Sequence, residues 1–433
     1  MTITIIGHGY VGLVTACVFA DFGNQVSVIG RTPEKIDKLN NGNPLIYEPG
    51  LEELLQKNLE AKRISFTLDY DSAIKKSEIV FIAVGTPSGN NGEANLSQVF
   101  SVVEKVAKHL KDTYTVIACK STVPVGTNKK IKELIAKKIN TTKNFDVISC
   151  PEFLREGTGI SDTIHPDRVL IGSESQKATN LMLELHQPIS GERVITDLAS
   201  AELIKYAANS MLATKISFAN LISFYCEKSG ANADQVLTAV GLDSRIGSRF
   251  LDPGIGYGGA CFPKDVKALI HTGRELGLNT GLLDEVENIN KLARDNFAQK
   301  IIKNSTGKNL GIWGLSFKPN TDDVREAPSI FIIKKLLESG FKIIAYDPEA
   351  TTHIKKQFGD QIKFAGDPYQ TSENADALAI LTEWNEFKQI DLPKVKSLMA
   401  KPVIFDGRNI YELDKIKELG FDYYSVGRQI VKQ

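Results

Sequence analysis

A doubly wound α/β architecture is predicted for this chain, occurring twice and separated by a helical middle. Three observations carry it. Short β-branched runs alternate with helical segments through the first part of the chain. A stretch free of Pro and Gly then runs from Ser200 to Ser229. The alternation resumes near Lys308. Continuous apolar runs between helical segments imply a parallel sheet covered on both faces.

Taken in order, Ile3–Ile6 reads as a strand, Tyr10–Phe22 as a helix stopped at Gly23, and Gln25–Ile29 as a second strand. Ile79–Val84, Thr115–Ala118 and Asp146–Ser149 are later buried strands. In the middle, Leu203, Ile204, Ala207, Ala208, Met211, Leu212 and Ile216 recur at helical spacing. They predict one long helix ending at Gly230. Ile216, Phe218, Leu221, Ile222, Phe224 and Tyr225 wrap much of its circumference. A helix apolar on several sides is buried within its chain or at an interface. A Gly/Pro-rich loop from Asp252 to Pro263 interrupts the following helices. Beyond it, Leu310–Gly314, Lys342–Asp347, Leu378–Leu381 and Val403–Phe405 read as strands and Ser329–Glu338 as a helix. The expected plan is two Rossmann-like domains, 1–195 and 301–433, joined by a central helical domain, 196–300.

Composition narrows the class. Hydrophobic residues make up 42% and charged residues 24% of the 433, ordinary for a soluble globular enzyme. Lys+Arg and Asp+Glu are both 52, so bulk attraction to nucleic acid or membrane is not implied. Cys17, Cys119, Cys150, Cys226 and Cys261 are scattered, with no CxxC pair. They suggest neither a disulfide framework nor a zinc site, and no metal is expected. The run Met1–Ile6 lacks the basic start and long apolar core of a signal peptide. No apolar stretch reaches the roughly 18 residues that span a bilayer. A reducing, cytoplasmic setting is the expectation.

Gly7-His8-Gly9-Tyr10-Val11-Gly12 has the form GxGxxG. The pattern alone is weak, and a Gly-rich turn without cofactor is its plain alternative. Here it follows a strand and opens a helix, the context that dinucleotide binding requires. At the end of the second strand, an acidic residue would bond the ribose hydroxyls of NAD. The chain has Gly30-Arg31-Thr32 instead. NAD is expected, with NADP as the alternative, because an arginine there accommodates a 2′-phosphate. Read plainly, Arg31 is a solvated loop residue.

A second glycine-rich segment, Gly256-Tyr257-Gly258-Gly259-Ala260-Cys261-Phe262-Pro263-Lys264-Asp265, places a thiol beside a lysine and an aspartate. A nucleotide cofactor plus a placed thiol points to an oxidation through a covalent sulfur adduct. The other four cysteines read as buried structural residues.

Several further blocks occur in order. They are Ile46-Tyr47-Glu48-Pro49-Gly50-Leu51, Lys120-Ser121-Thr122-Val123-Pro124-Val125-Gly126-Thr127, Pro151-Glu152-Phe153-Leu154-Arg155-Glu156-Gly157, Glu202 to Asn209, and Phe317-Lys318 with Thr321-Asp322-Asp323-Val324-Arg325. With the two glycine-rich segments, they make the chain resemble the nucleotide-sugar dehydrogenases of the UDP-glucose/GDP-mannose dehydrogenase family over nearly its whole length. Within that family it looks most like the UDP-glucose 6-dehydrogenases.

The resemblance implies an NAD-dependent, four-electron oxidation of a primary alcohol to an acid. Cys261 would trap the aldehyde as a thiohemiacetal and carry the thioester. Lys205 would stabilise the oxyanion, and Asn209, four residues on and so on the same helix face, would assist and contact the sugar. Asp265 is a candidate base, and Thr122 would hold a water by its hydroxyl. Glu156 would assist hydrolysis, with Glu152 opening the same loop and the backbone of Phe153, Leu154 and Arg155 touching substrate. Phe250, Leu251, Asp252, Pro253, Gly254, Tyr257 and Gly258 resemble the substrate loop. Phe317, Lys318 and Arg408 would meet the nucleotide sugar, and Arg245 would act across a homodimer interface. Lys264 and Arg325 match cofactor contacts, Lys35 and Thr86 more weakly, and Thr122 and Glu156 lie on the cofactor side too. Read alone, each of these basic residues is a surface charge.

The alternatives are the same chemistry on GDP-mannose or a UDP-N-acetylhexosamine, a one-step alcohol dehydrogenase, and a non-catalytic nucleotide-sugar sensor.

Overall fold

The computed structural model describes residues 1–139 and 144–433. It divides into two compact units, Met1–Ala208 with Lys267–Leu276, and Asn209–Val266 with Gly277–Gln433.

The first unit is built on eight strands: β1 (Thr2–Ile6), β2 (Gln25–Ile29), β3 (Ile64–Thr67), β4 (Ile79–Ile82), β5 (Thr115–Cys119), β6 (Phe145–Ser149), β7 (Arg168–Ser173) and β8 (Glu192–Thr196). Their order is β3-β2-β1-β4-β5-β6-β7-β8. Successive residues of the apolar runs go to opposite sides. Ile3 and Ile5 of β1, with Phe81 of β4 and Ala118 of β5, join one core. Ile6, Val80, Ile82 and Ile117 join another. Both faces are therefore covered, which is why these strands read as unbroken apolar runs.

The sheet is not wholly parallel, as the sequence had suggested. β6 and β7 pair antiparallel, with Ile148 opposite Ser173. β8 escapes the apolar-run signal, since Glu192-Arg193-Val194-Ile195-Thr196 is an edge strand with no buried residue.

The second unit carries a six-stranded sheet: β9 (Asn309–Trp313), β10 (Lys342–Tyr346), β11 (Lys363–Phe364), β12 (Ala377–Ile380), β13 (Val403–Asp406) and β14 (Asp422–Tyr424). Its order, β11-β10-β9-β12-β13-β14, repeats that of the first six strands of the other sheet. Every pair in it is parallel. Leu310 and Ile312 face one core, and Trp313, Leu378 and Ile380 face another. Two Rossmann-like sheets thus flank, in sequence, a region with two long helices, Leu198–Ser229 and Gly281–Asn304.

The helix Leu198–Ser229 has 32 residues and begins two residues before the expected start at Ser200. Its buried positions beyond Asn209 are mostly small or polar: Ala213, Ser217, Ala219, Asn220, Ser223 and Cys226. Several of its large apolar residues are exposed, Phe218 by 44% and Tyr225 by 67%. The loop expected to run to Pro263 ends two residues earlier. A helix begins at Phe262, with Pro263 in its first turn, where the missing N–H costs no hydrogen bond. Cys261 therefore sits directly ahead of a helix start.

Candidate active site

In the first unit the turn after β1 forms a cradle. Gly7 has φ +117°, and a Cβ there would lie 2.3 Å from the Ala83 carbonyl oxygen. A Cβ on Gly12 would lie 2.0 Å from the Gly7 oxygen, so strand and helix meet backbone to backbone. Gly9, by contrast, faces open space, with nothing within 4 Å of its Cβ direction. A cavity of about 580 Å³ opens beside it, lined by Gly7, Gly9, Gly30, Arg31 and Lys35 among the expected residues. His8, Tyr70 and Lys105 line it as well and were not foreseen. Size, open glycine and helix start together fit a nicotinamide dinucleotide. Val11 and Tyr10 open the helix, and Tyr10 has a further task.

That task involves Glu48, which sequence reasoning left without a role. Its buried carboxylate accepts the hydroxyl of Tyr10 at 2.5 Å and the N–H groups of Gly157 and Gly159, both at 2.6 Å. Tyr10 also reaches the carbonyl of Arg155 at 3.1 Å. Burial, and then Glu48 itself, holds the Tyr10 phenol far above its usual range. One carboxylate thus ties the cofactor helix to the loop that carries Glu152 and Glu156. The signal in the sequence was only the Glu48-Pro49-Gly50 run itself.

Within that loop, Lys205 donates to the Glu152 carbonyl at 2.6 Å and lies 3.2 Å from its carboxylate. Both side chains are buried, so this cation is charge-paired and placed. The Lys205 ammonium also stands 5.0 Å from the Phe153 ring centre. Glu152 fixes its own turn by accepting the Leu154 N–H at 2.5 Å. Arg155 turns away to Asp162 at 2.6 Å, and its side chain is largely exposed. Thr86 and Thr122 are both buried, and the Thr86 hydroxyl donates to the Thr122 carbonyl at 2.8 Å.

Glu202, the first residue of its block, is also buried. It accepts the N–H of Gly126 at 2.6 Å and of Asn128 at 2.7 Å, neutralising the start of the helix Thr127–Lys138. Burial raises the Glu202 carboxyl above its ordinary range.

In the second unit, Cys261 is partly exposed, whereas the other four cysteines are buried. Burial pushes the Cys17 and Cys119 thiols up to about 12, which makes them inert. Cys261 instead directly precedes the first turn of the helix Phe262–Glu275.

Asp265 stands in that turn, 1% exposed. Asn209 donates to one of its oxygens at 2.6 Å and the Lys264 ammonium bonds the other. The structure therefore assembles Asn209, Lys264 and Asp265 around one carboxylate.

The preceding loop is held on both sides. The Asn290 amide pairs with the backbone of Tyr257, accepting at 2.8 Å and donating at 3.1 Å, while the Tyr257 hydroxyl bonds Glu287. Gly258 packs against the Glu326 backbone, and the Gly259 N–H donates to the Arg325 carbonyl at 2.9 Å. The Gly254 N–H donates to the Asn220 side-chain oxygen at 2.8 Å. Arg408 donates to the carbonyls of Leu381 at 2.9 Å and Phe317 at 3.3 Å, and its guanidinium flanks Gly254. Gly254, Phe317 and Arg408 are thus gathered, with Lys318 beside the Phe317 ring. Phe250 adopts φ +66°, Leu251 and Pro253 are buried, and Asp252 is exposed. Arg325 is chelated by Asp323 at 2.7 Å. Arg245 is not among the gathered residues. Its side chain is 87% exposed and bound to Asp243 at 2.6 Å.

Comparison with known proteins agrees with this geometry. Residues 1–190 match the NAD binding domain of the UDP-glucose/GDP-mannose dehydrogenase family, 199–292 its central domain and 311–413 its UDP binding domain. The UDP-glucose 6-dehydrogenase TuaD of Bacillus subtilis is 45% identical over 99% of this chain and 94% of that protein. The UDP-glucose 6-dehydrogenase of Rhizobium meliloti is 42% identical over 99% of this chain and all of that protein. Among solved structures, a UDP-glucose dehydrogenase from Pyrobaculum islandicum superposes with a TM-score of 0.92 at 34% identity, covering 99% of this chain and 98% of that one. A UDP-D-ManNAc dehydrogenase from Pyrococcus horikoshii gives 0.86 at 26% identity, with 99% of each chain covered. With its cofactor cradle, placed thiol and three family domains in sequence, the chain belongs to the UDP-glucose/GDP-mannose dehydrogenase family.

Proposed function

We propose that this chain oxidises UDP-glucose to UDP-glucuronate in two hydride transfers. The observation that carries the reading is Cys261, the one partly exposed thiol of five, set at a helix start beside the Asn209–Asp265 pair. When bound, the dinucleotide accepts one hydride in each half-reaction. The protein's own groups do the rest. Loss of hydride and a proton from the sugar's primary alcohol gives an aldehyde. The Cys261 thiolate adds to its carbonyl carbon, and the new S–C bond prevents escape. Loss of the second hydride leaves a thioester, which water cleaves to the carboxylate and the free thiol. Lys205 stabilises the developing oxyanion, with Asn209 assisting. Asp265 takes protons, and Thr122 and Glu156 handle the hydrolytic water. The loop at 250–258, with Phe317, Lys318 and Arg408, receives the nucleotide sugar.

The exposed apolar residues of the helix Leu198–Ser229, Phe218 and Tyr225 among them, support a homodimer formed through a central domain at 196–300. Arg245, largely exposed and bound to the neighbouring Asp243, would then serve the partner's site. Among the described residues no helix is long and apolar enough to cross a membrane. We assign the protein to the cytoplasm on its free cysteines.

The test is stoichiometry. Two reduced cofactors and one acid per UDP-glucose are expected, and Cys261→Ser should abolish acid formation. One reduced cofactor with free aldehyde would overturn the thioester route. Turnover of a UDP-N-acetylhexosamine in place of UDP-glucose would transfer the assignment to the chemistry named for the Pyrococcus horikoshii structure.

A further inference from the structure

The ribose corner of the cofactor cavity has an unusual charge pattern. In a NAD site, a carboxylate after β2 accepts the two ribose hydroxyls and repels any phosphate at the 2′ position. Here that position is Gly30. The space a side chain would occupy is already filled. A Cβ on Gly30 would lie 2.7 Å from Cδ2 of the His8 ring and 2.5 Å from Cδ1 of Ile36. His8 is the variable second residue of the GxGxxG turn, so the turn itself supplies the group that excludes an acid.

Around this corner the cavity is lined by Arg31, Lys35 and Lys105, and no Asp or Glu lines it. Among the described residues none of these three cations makes an ion pair. Lys105 stands 5.1 Å from the ring centre of Tyr70, another wall residue. The His8 imidazole is pushed below its usual range by burial first, and then by the charges of Lys35 and Arg31. Two of the cations therefore act electrostatically on the same corner as the imidazole, which stays neutral at pH 7. A neutral wall with several uncommitted cations is complementary to a dianion, and an adenosine ribose with free hydroxyls makes no use of it.

We propose that this corner is built for a ribose 2′-phosphate, with Arg31 as the residue that selects it, so that the chain binds NADP at least as tightly as NAD. This rests on the reading of the cavity as a dinucleotide site. It adds a preference that the fingerprint alone does not encode.

The test is direct binding of NADPH and NADH, followed by nicotinamide fluorescence at fixed ionic strength, in the wild type and in Arg31→Ala. Arg31 is exposed, so the variant should fold, and Lys35→Ala gives a second, independent removal of charge. The expected result is an NADPH Kd equal to or below that of NADH. Arg31→Ala should then raise the NADPH Kd by about tenfold and the NADH Kd less than about threefold, as for loss of one charge-assisted phosphate contact. Weaker binding of NADPH than NADH in the wild type overturns the proposal. So does an equal loss for both in Arg31→Ala, which would place Arg31 on the pyrophosphate. Binding of NADH alone sinks only this inference, whereas binding of neither coenzyme removes the dinucleotide reading beneath it.

Discussion

At the ends of β1 and β9 the chain makes the same turn. The N–H of Gly7 donates to the Ile29 carbonyl, and that of Gly314 to the Tyr346 carbonyl, both at 2.9 Å. Both glycines have positive φ, +117° and +89°, and neither has room for a Cβ: Gly314 would meet Thr382 at 2.4 Å. The difference lies one strand away. After β2 comes Gly30-Arg31, and the turn opens on a cavity. After β10 comes Asp347, buried against its own turn. Its carboxylate accepts the N–H groups of Leu315 at 2.7 Å, Ser316 at 3.0 Å and Ala350 at 2.8 Å, and the Trp384 indole at 3.1 Å. The second sheet thus supplies from its own chain the anion that such a turn attracts, while the first leaves the place to a ligand. Equal topology does not imply equal binding, and the difference is decided by a few residues at strand ends.

The sharpest way to break this comparison is a matched pair of variants. Gly7→Ala should weaken NADH binding by about 100-fold or more, roughly 3 kcal/mol, because the cradle must deform. Gly314→Ala strains an equivalent turn, yet should leave NADH affinity within about twofold. Fluorescence titration of both, with circular dichroism to check folding, decides it. Equal losses would mean that the two turns do not have separate duties.

Removing the built-in anion comes next. Asp347→Ala leaves the buried donors of Leu315, Ser316, Ala350 and Trp384 without this acceptor, which should cost about 2–3 kcal/mol. Amide exchange should accelerate at 314–317 and 347–351, and far less around Gly7. Unchanged exchange would show that water replaces the carboxylate freely and that Asp347 is no counterpart to a ligand.

Acid should also separate the two sheets. His186 is buried beside Phe19 in the first unit, and burial lowers it to about 3. Its folded value is below its unfolded value of 6.5, so the unfolded chain takes up the proton more readily. The stability it permits is complete above about pH 6.5 and is lost as pH falls toward 3, at up to ~1.4 kcal/mol per pH unit. Asp406 in the second unit has the opposite sign. Burial raises its carboxyl, so its contribution is greatest at low pH and is lost as pH rises through the raised value. The chain's two tryptophans, Trp313 and Trp384, both lie in a core of the second unit, so their fluorescence reports that unit. Below pH 6, urea should unfold the circular dichroism signal before the tryptophan signal. His186→Phe should bring the two midpoints together, and a gap that persists would remove His186 as the cause.

How far the sequence carried this picture depended on the kind of signal. β1, β2, β4, β5, β9 and β12 were legible because buried parallel strands must be apolar on both faces. β8 was not, because an edge strand such as Glu192–Thr196 need bury nothing. β11 and β14 have only two and three residues, too few for a period to form. At the site, residues whose chemistry is unusual in itself were legible: the glycines of the cradle, and Cys261 in its loop. Pairings were not. Nothing in the spacing of Asn209 and Asp265, 56 residues apart, says that they touch. Glu48 bonds amides 109 and 111 residues away, and Asp347 bonds amides 31 and 32 residues behind it. A carboxylate satisfied by backbone N–H groups leaves no partner side chain to recognise.

Glu48 offers the smallest and most local of the expected effects, and it refines what the first sheet does with its free turn. The second sheet spends a buried carboxylate inside its turn. The first holds one behind the cofactor helix, on Tyr10 and on the loop at 157–159. Glu48→Gln keeps the size but loses the charge, and the new amide N–H₂ faces donors. A loss of about 1–2 kcal/mol is expected, as for charge-assisted hydrogen bonds. If Glu48 merely stabilises the fold, Tm falls and turnover at saturating substrate does not change. If it positions the loop carrying Glu152 and Glu156, exchange at 152–160 rises and acid release slows while reduced-cofactor formation in the first half-reaction is spared. Single-turnover kinetics separates these outcomes, because under the mechanism proposed above Glu156 serves thioester hydrolysis and has no part in forming the aldehyde.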